Sequence, residues 1–455
     1  MSFLEHLNKQ QVEAVHTVDQ HLRIIAGAGS GKTRVVTTRI AYLIEEMQVY
    51  PNKILAITFT NKAAKEMKER VEGMLGEVAK AVQISTIHSF CVRLLREDIL
   101  EVGYPRNFTI LDSDDQKSIL RDAYKQMQID VKSYSYNSML GYISANKTNF
   151  VDPVMAKANA GPWAGEQIKA DVYAYYEKRL KEMYGLDFDD LLIFAYRILK
   201  DKEEVRAKWQ RRFTYIHVDE FQDVDNLQYA IIRLLVGDHS YLCVVGDPDQ
   251  TIYTWRGAQV DIIMNFERDF PDSKTVILNQ NYRSTQPILN GANALIRNNR
   301  NRIEKDLFTE VEGDNPIIHF TAMDDVNEPV WVASRIMALS HSGVCYRDIA
   351  VLYRSNYLSR GLEKALLDFR IPYRIYGGIR FYDRAEIKDA LSYLRLLAPK
   401  QEDDEKELYK NLSIKRIINM PKRGIGAKTM ELIEQQAEHD NTNMYEIIKQ
   451  YEIGK

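Results

Sequence analysis

The run Ala26-Gly-Ala-Gly-Ser-Gly-Lys-Thr33 joins an apolar, β-rich segment, Leu22-Arg-Ile-Ile-Ala, to a helix-like one that starts at Arg34. Glycines in that setting let backbone N–H groups curl round phosphate oxygens, and the following helix turns the positive end of its dipole toward them. Lys32 can then reach the β- and γ-phosphates of a bound nucleotide, while Thr33 offers a hydroxyl to Mg²⁺. Ala26 stands where the usual pattern has its first glycine, and Gly27 and Gly29 supply the freedom the turn needs. A plain flexible turn would not need this strand–loop–helix context. Ala26, Gly27, Ala28, Gly29, Ser30, Gly31, Lys32 and Thr33 are therefore candidates for ATP binding.

A second chemical centre follows the run Tyr215-Ile-His-Val, which reads as a strand with Asp219 and Glu220 at its tip. A carboxylate there is placed to hold Mg²⁺, usually through water, and that role falls to Asp219. Glu220, one residue on, can orient and deprotonate an attacking water. Gln222 and Asp223 extend the polar cluster. The alternative, a solvated acidic loop, sits badly after so apolar a strand. Lys32 and Asp219 are 187 residues apart, which is long for one nucleotide-binding lobe and predicts a domain inserted between them.

Beyond a further apolar run comes Gly246-Asp-Pro-Asp-Gln-Thr-Ile-Tyr-Thr-Trp-Arg-Gly257. Gln250 is a neutral group able to sense a γ-phosphate or its water. Tyr253 and Trp255 beside Arg256 suit stacking on single-stranded bases, worth about 1–3 kcal/mol per contact. Spacing alone fits core packing equally well. In Asn279-Gln-Asn-Tyr-Arg-Ser284, Arg283 can stabilise charge on the γ-phosphate and Tyr282 can stack on adenine. An arginine after a strand also serves readily as a surface salt-bridge partner.

The elements that must position these groups alternate. Ile54-Leu-Ala-Ile-Thr-Phe leads into a helix-like stretch from Lys62, and Leu242-Cys-Val-Val and Val276-Ile-Leu add further strands. Strands bounded by helices predict a parallel sheet covered on both faces. Between about Asp112 and Lys208 long amphipathic stretches predict a helical insertion. A second α/β series follows, with strands expected at Ile317-Ile-His-Phe, Asp348-Ile-Ala-Val-Leu-Tyr and Tyr373-Arg-Ile-Tyr and a crossover helix from Leu358 to Phe369. Past Arg384 the chain turns helical, broken by the charged run Gln401-Glu-Asp-Asp-Glu-Lys-Glu.

Composition limits the classes. The 455 residues are too many for one core, so two to four domains are expected. Hydrophobic residues at 45% and charged ones at 27% fit a soluble globular protein, and no apolar run approaches a membrane span. The start shows no signal peptide, and three scattered cysteines, Cys91, Cys243 and Cys345, fit free thiols in a reducing cytoplasm, each a small core residue. A net charge of −3 does not announce a nucleic acid, so that case rests on local sites.

The motifs occur in a telling order: Leu7-Asn-Lys-Gln-Gln-Val-Glu-Ala, the glycine loop, Ala56-Ile-Thr-Phe-Thr-Asn-Lys-Ala-Ala, Ser85-Thr-Ile-His-Ser-Phe, Leu186-Asp-Phe-Asp-Asp-Leu-Leu, Asp219-Glu-Phe-Gln-Asp, the Gln250 segment and Gln280-Asn-Tyr-Arg-Ser. From the N-terminus to about Arg384 the chain resembles the superfamily 1 DNA helicases of the UvrD/Rep type. The resemblance implies an α/β fold of two RecA-like P-loop NTPase lobes, the second incomplete here, with helical inserted subdomains. It divides the chain into a first lobe at 1–108 and 191–280, an insertion at 109–190, the second lobe's N-terminal part at 281–383, and the start of its insertion at 384–455.

The same resemblance implies an ATP- and Mg²⁺-dependent motor on single-stranded and duplex DNA. Such a motor is stimulated by single strands, moves 3′→5′ and unwinds duplex in repair or replication. It would work as a monomer or weak dimer in the cytoplasm, associated with the nucleoid and with repair or replication proteins. By motif, Gln11 and Arg34 should contact adenine, and Phe59, Thr60, Asn61, Thr86, His88, Tyr253 and Trp255 should line the single-strand path, with Arg256 beside them. His88 on its own would read as a structural histidine. In Lys422-Arg-Gly-Ile-Gly-Ala-Lys-Thr, Gly424 and Gly426 can present amides to a duplex phosphate, helped by Lys422, Arg423 and Lys428; a helix-capping turn fits as well. The family's later motifs find no match, so the chain is read as an N-terminal fragment that binds ATP and hydrolyses it weakly. The motor part of a recombination helicase–nuclease and an ATP-gated DNA-binding scaffold are the competing readings; intact Lys32, Asp219, Glu220, Gln250 and Arg283 speak against the scaffold.

Overall fold

A computed structural model describes residues 4–254, 257–300, 302–376, 385–397 and 410–450. Among the described residues ten strands follow in order: β1 Leu22–Ala26, β2 Ile54–Thr58, β3 Gln83–Thr86, β4 Thr109–Ile110, β5 Gly185–Leu186, β6 Tyr215–Val218, β7 Tyr241–Gly246, β8 Lys274–Leu278, β9 Gln280–Asn281 and β10 Phe308–Thr309. Six form one sheet in the order β3-β2-β6-β7-β1-β8, and each neighbouring pair is parallel. β1, β2 and β6 are buried along their whole length, as strands covered on both faces must be. Successive side chains alternate between two cores. Leu22, Ile24 and Ala26 of β1 join Val36, Ile40 and Val71, whereas Ile25 joins Phe90, Leu94, Ile198 and Trp209.

The chain divides into two compact units, residues 1–314 with 392–455 and residues 315–391. Within the larger unit, β4 and β5 pair in parallel, Thr109 with Gly185 and Ile110 with Leu186, so the segment between them leaves and returns at one place. Helices Ser113–Gln126, Tyr136–Thr148, Pro153–Asn159 and Ala164–Glu182 lie in it and share their own core of Leu120, Met139, Ile143, Tyr173 and Tyr176. Buried Lys147 ties that core to the returning chain. Its Nζ lies 2.7 Å from Glu177, 2.8 Å from Asp187 Oδ2 and 2.8 Å from Asp190 Oδ1. Burial alone would lower its pKa, but the three carboxylates outweigh that and hold it well above the usual lysine value. Helices Lys410–Ile417, Ala427–His439 and Met444–Gln450 form a further small core, and Lys415 Nζ sits 2.6 Å from Asp122 Oδ2 on the helical segment.

The smaller unit packs helix Asn327–His341 on helix Ser359–Asp368 through Ala333, Ile336, Ala365 and Leu366. The second helix stands where the crossover was expected. The strands expected at 317–320, 348–353 and 373–376 do not form: among the described residues these runs join no ladder. Ile317 is 63% exposed and Leu352 93%. β-branched composition supplies only a local preference, whereas a strand of a parallel sheet needs ladder partners and cover on both faces. Cys345 is exposed, against the expectation of a core residue, while Cys91 and Cys243 are buried. The run Gln401–Glu407 and the Gly377–Arg384 stretch lie outside the described residues. Among the described residues no helix is long and apolar enough to cross a membrane.

The Lys147 cluster makes a stability prediction. Lys147→Met leaves two buried carboxylates without their cation, and denaturant unfolding should report a loss of about 3–5 kcal/mol. An unchanged midpoint would show that the cluster holds nothing together.

Candidate nucleotide site and nucleic-acid face

β1 ends at Ala26, whose strand conformation explains why alanine serves at the first position of the loop. Gly29 (φ +66°) and Gly31 (φ +83°) take the left-handed backbone that glycine adopts without strain. At Gly27 a Cβ would fall 2.2 Å from Leu307 Cδ2, so that side chain would have to move aside. Ser30 Oγ donates to Gly27 O at 2.8 Å and closes the turn. Helix Lys32–Glu45 starts with no side-chain cap, which leaves its first amides for an anion.

Two segments distant in sequence pack on this loop. Asn8 and Gln11 form a capping box at helix Lys9–His16, and Gln11 Nε2 donates to Ser30 O at 2.9 Å. Asn8 Nδ2 donates to Tyr282 Oη at 2.8 Å. Gln11 and Arg34 both flank Gly31, and a hollow of about 370 Å³ lined by His6, Arg34, Thr37, Thr38, Arg70 and Met74 lies beside Arg34. From the other side, Asn281 Nδ2 donates to Ala28 O at 2.6 Å and Tyr282 N donates to Gly29 O at 2.9 Å. Arg283 is exposed, with its Cβ next to Gly29. Gln11, Arg34, Tyr282 and Arg283, expected at adenine or γ-phosphate, thus border one loop, while Gln250 stands on the turn after β7. A separate hollow of about 670 Å³, lined by residues from Met127 to Lys178, lies in the helical insertion, away from these groups.

The carboxylates stand two strands away, at the end of β6. Lys32 Nζ lies 3.4 Å from Glu220 Oε2, so loop and acid face each other directly. Burial pushes the Asp219 carboxyl up to about 6, the neighbouring charge of Glu220 adds to this, and Lys32 opposes it. Glu220 holds a left-handed backbone (φ +52°), an unusual state for a glutamate and the kind of strain that clusters at functional sites. Its Oε2 accepts from Gln222 Nε2 at 2.8 Å. Gln222, 2% exposed, also accepts from Asp247 N through Oε1 at 3.0 Å, which links the acid to the next strand's loop. There Gln250 Nε2 donates to Asp247 Oδ2 at 2.5 Å. Asp223 is likewise pushed up to about 6, mainly by burial and then by Glu220.

At the same edge of the sheet, β2 is followed by Phe59, whose ring stacks on Tyr253 with centroids 4.8 Å apart. Thr60 caps helix Asn61–Leu75, and Thr86 caps helix Ile87–Asp98 by accepting from Ser89 N. Asn61 is exposed on the first turn. His88, its pKa lowered by burial, meets Phe188 edge-on at 5.9 Å, and Phe188 is 53% exposed. Trp255 and Arg256 lie outside the described residues. Gly424 (φ +72°), Gly426 and Lys428 are exposed in the helical segment after Lys410, with Gly426 at the N-cap of helix Ala427–His439. Arg423, also exposed, donates through Nη1 to Ile417 O and Ile418 O of the preceding helix.

The family model for the UvrD/REP helicase N-terminal domain matches residues 7–271, and that for the UvrD-like helicase C-terminal domain matches residues 276–454. The chain belongs to the UvrD/Rep helicase family. It is 44% identical over 447 residues to a Staphylococcus aureus protein named ATP-dependent DNA helicase PcrA, with 98% of this chain and 60% of that one covered. A Staphylococcus epidermidis protein of the same name is 45% identical over 452 residues, covering 99% and 61%. The chain therefore spans about 60% of the length of these PcrA-type relatives. The match to the C-terminal family domain corrects the expectation of a chain that stops short of that region.

Three groups escaped the sequence reading of this UvrD/Rep-type site. Gln222 reads from the sequence only as part of a polar cluster, because its bridge to Asp247 spans 25 residues. Phe188 was quoted in a motif without a role, though an exposed aromatic at a helix start was a visible signal. Asn8 carried no signal beyond a helix cap. Gly246→Ala tests the bridge, since a Cβ would fall 2.5 Å from Gln222 Oε1 and 3.1 Å from its backbone N. We expect at least a tenfold loss of ATP turnover with nucleotide affinity changed by no more than about threefold; equal losses in both would mean that the bridge does not act on Glu220.

Proposed function

We propose that this protein is an ATP-driven motor on DNA, a single-strand-stimulated ATPase that moves 3′→5′ and separates duplex strands in repair or replication. One observation carries the reading. The groups fit for ATP follow β1, β6 and β7, and the aromatic and capping groups fit for a single strand follow β2 and β3, all at the C-terminal edge of one parallel sheet. That edge is where open α/β sheets bind ligands. The family and the names of its relatives support the same reading.

Gln11, Arg34 and Tyr282 grip the adenine, and residues Ala26 to Thr33 cradle the phosphates, with Lys32 on the β- and γ-phosphates. Glu220 accepts the proton of the attacking water, held for that by Gln222 and by its strained backbone. Gln250 and Arg283 face the γ-phosphate, where charge develops. One buried carboxylate and one hydroxyl are a donor set that suits Mg²⁺, which takes its other ligands from phosphate and water. Thr33 and Asp219 would hold that ion, and when bound it neutralises phosphate charge. Phe59, Thr60, Asn61, Thr86, His88, Tyr253, Trp255 and Arg256 line the single strand, and Gly424, Gly426 and Lys428 meet duplex phosphate. The lobes run over 1–108 with 191–280 and over 281–383, and the insertions over 109–190 and 384–455.

A steady-state ATPase assay with and without single-stranded DNA tests the reading; no turnover in either condition would defeat it. Lys32→Ala should weaken nucleotide binding. Glu220→Gln should keep binding and lose about 10²–10⁴ in turnover, and normal hydrolysis by that variant would refute its role as base. Phe59→Ala should weaken single-strand binding by about 1–3 kcal/mol in a fluorescence titration, and no change would remove Phe59 from the path.

A further inference from the structure

Lys305 is a buried cation in none of the motifs that mark the nucleotide site. Its Nζ lies 2.8 Å from Asp247 Oδ1 and 2.7 Å from Asp249 Oδ2, with all three side chains no more than 6% exposed. Arg302 adds a longer contact to Asp249 at 3.5 Å. Two carboxylates buried on one tight turn repel each other, so the turn keeps its shape only with a cation between them. Asp247 is also a junction. Its Oδ2 holds Gln250 Nε2, and its N–H donates to Gln222, which in turn holds Glu220. A continuous chain of polar contacts therefore runs from Lys305 through Asp247 and Gln222 to Glu220.

The chain around Lys305 also touches the phosphate loop. Leu307, two residues on, closes over Gly27, and β10 pairs with β9, whose Asn281 donates to Ala28 O. Residues 302–309 thus form a strap fixed to the phosphate loop at one end and to the Gln250 turn at the other.

We propose that Lys305 is a positioning residue for ATP hydrolysis: by bridging Asp247 and Asp249 it sets Gln250 and Glu220 in register with the phosphate loop. The inference rests on the ATPase reading above. Lys305 contacts neither the adenine nor the phosphate groups' expected binders, so its loss falls on turnover rather than on nucleotide binding. Arginine keeps the charge and can span two carboxylates with its fork, so it is the conservative replacement.

The test compares the full chain with its Lys305→Met and Lys305→Arg variants in DNA-stimulated ATPase kinetics, with amide hydrogen exchange of each protein alongside. We expect Lys305→Met to lower kcat about tenfold or more while KM for ATP stays within about twofold. Exchange should quicken at Asp247 to Thr251 and not in β1, and Lys305→Arg should recover most of kcat. Wild-type kcat and exchange in Lys305→Met would overturn the proposal. So would a joint fall of kcat and ATP affinity with faster exchange in β1 and no recovery by arginine, which would mark Lys305 as a general structural support. An inactive wild-type chain would instead defeat the ATPase reading itself.

Discussion

The parallel register of β6, β7 and β1 sets where the candidate groups Lys32, Asp219, Glu220 and Gln250 stand. Val218 of β6 pairs with Val244 of β7, and Ile25 of β1 pairs with Gly246, so the three strands end together at one edge. Each ladder satisfies its backbone groups only in that register. A slip of one residue would send Ile24 and Ile25 to each other's core and lift the phosphate loop out of line with Glu220. Lys32 meets Glu220 at 3.4 Å because two apolar cores, one on each face, forbid that slip. Hydrophobic burial far from the chemistry thus fixes polar geometry at it.

On that frame the site holds groups that would not gather by themselves. Asp219, Glu220 and Asp223 crowd one strand end, and burial with mutual repulsion raises two of them to about 6. Glu220 carries a left-handed backbone, and Gly246 has no room for a side chain beside Gln222. Strain and crowded charge of this kind persist only where surrounding structure over-determines them. Here Gln222 supplies that support from within the cluster, and Lys305 supplies it from the strap.

Much of this was legible in the sequence, and the part that was not has a common physical cause. The glycine loop, Asp219 with Glu220, and Phe59 all follow strongly apolar strands, where short-range pattern fixes the element, whereas the single-strand role expected of Phe59 and Tyr253 came from the family resemblance. The inserted helical segment was visible from the 187-residue gap, and its pinched base at β4 and β5 was not. Lys147 and Lys305 gave no signal, because their partners lie 40 and 56 residues away and a lysine reads as solvated surface. The runs near Ile317, Val351 and Tyr373 misled for the opposite reason. Their β-rich composition is local, whereas a strand is made by its neighbours.

Mutual binding linkage tests most directly whether the nucleotide site and the aromatic face work as one device on a shared sheet edge. The affinity for a fluorescent single strand should be measured with and without a non-hydrolysable ATP analogue, and the analogue's affinity with and without the strand. Each ligand should shift the other's Kd by the same factor, on the order of 5- to 150-fold. Independent binding, with neither Kd moved by the other ligand, would contradict it.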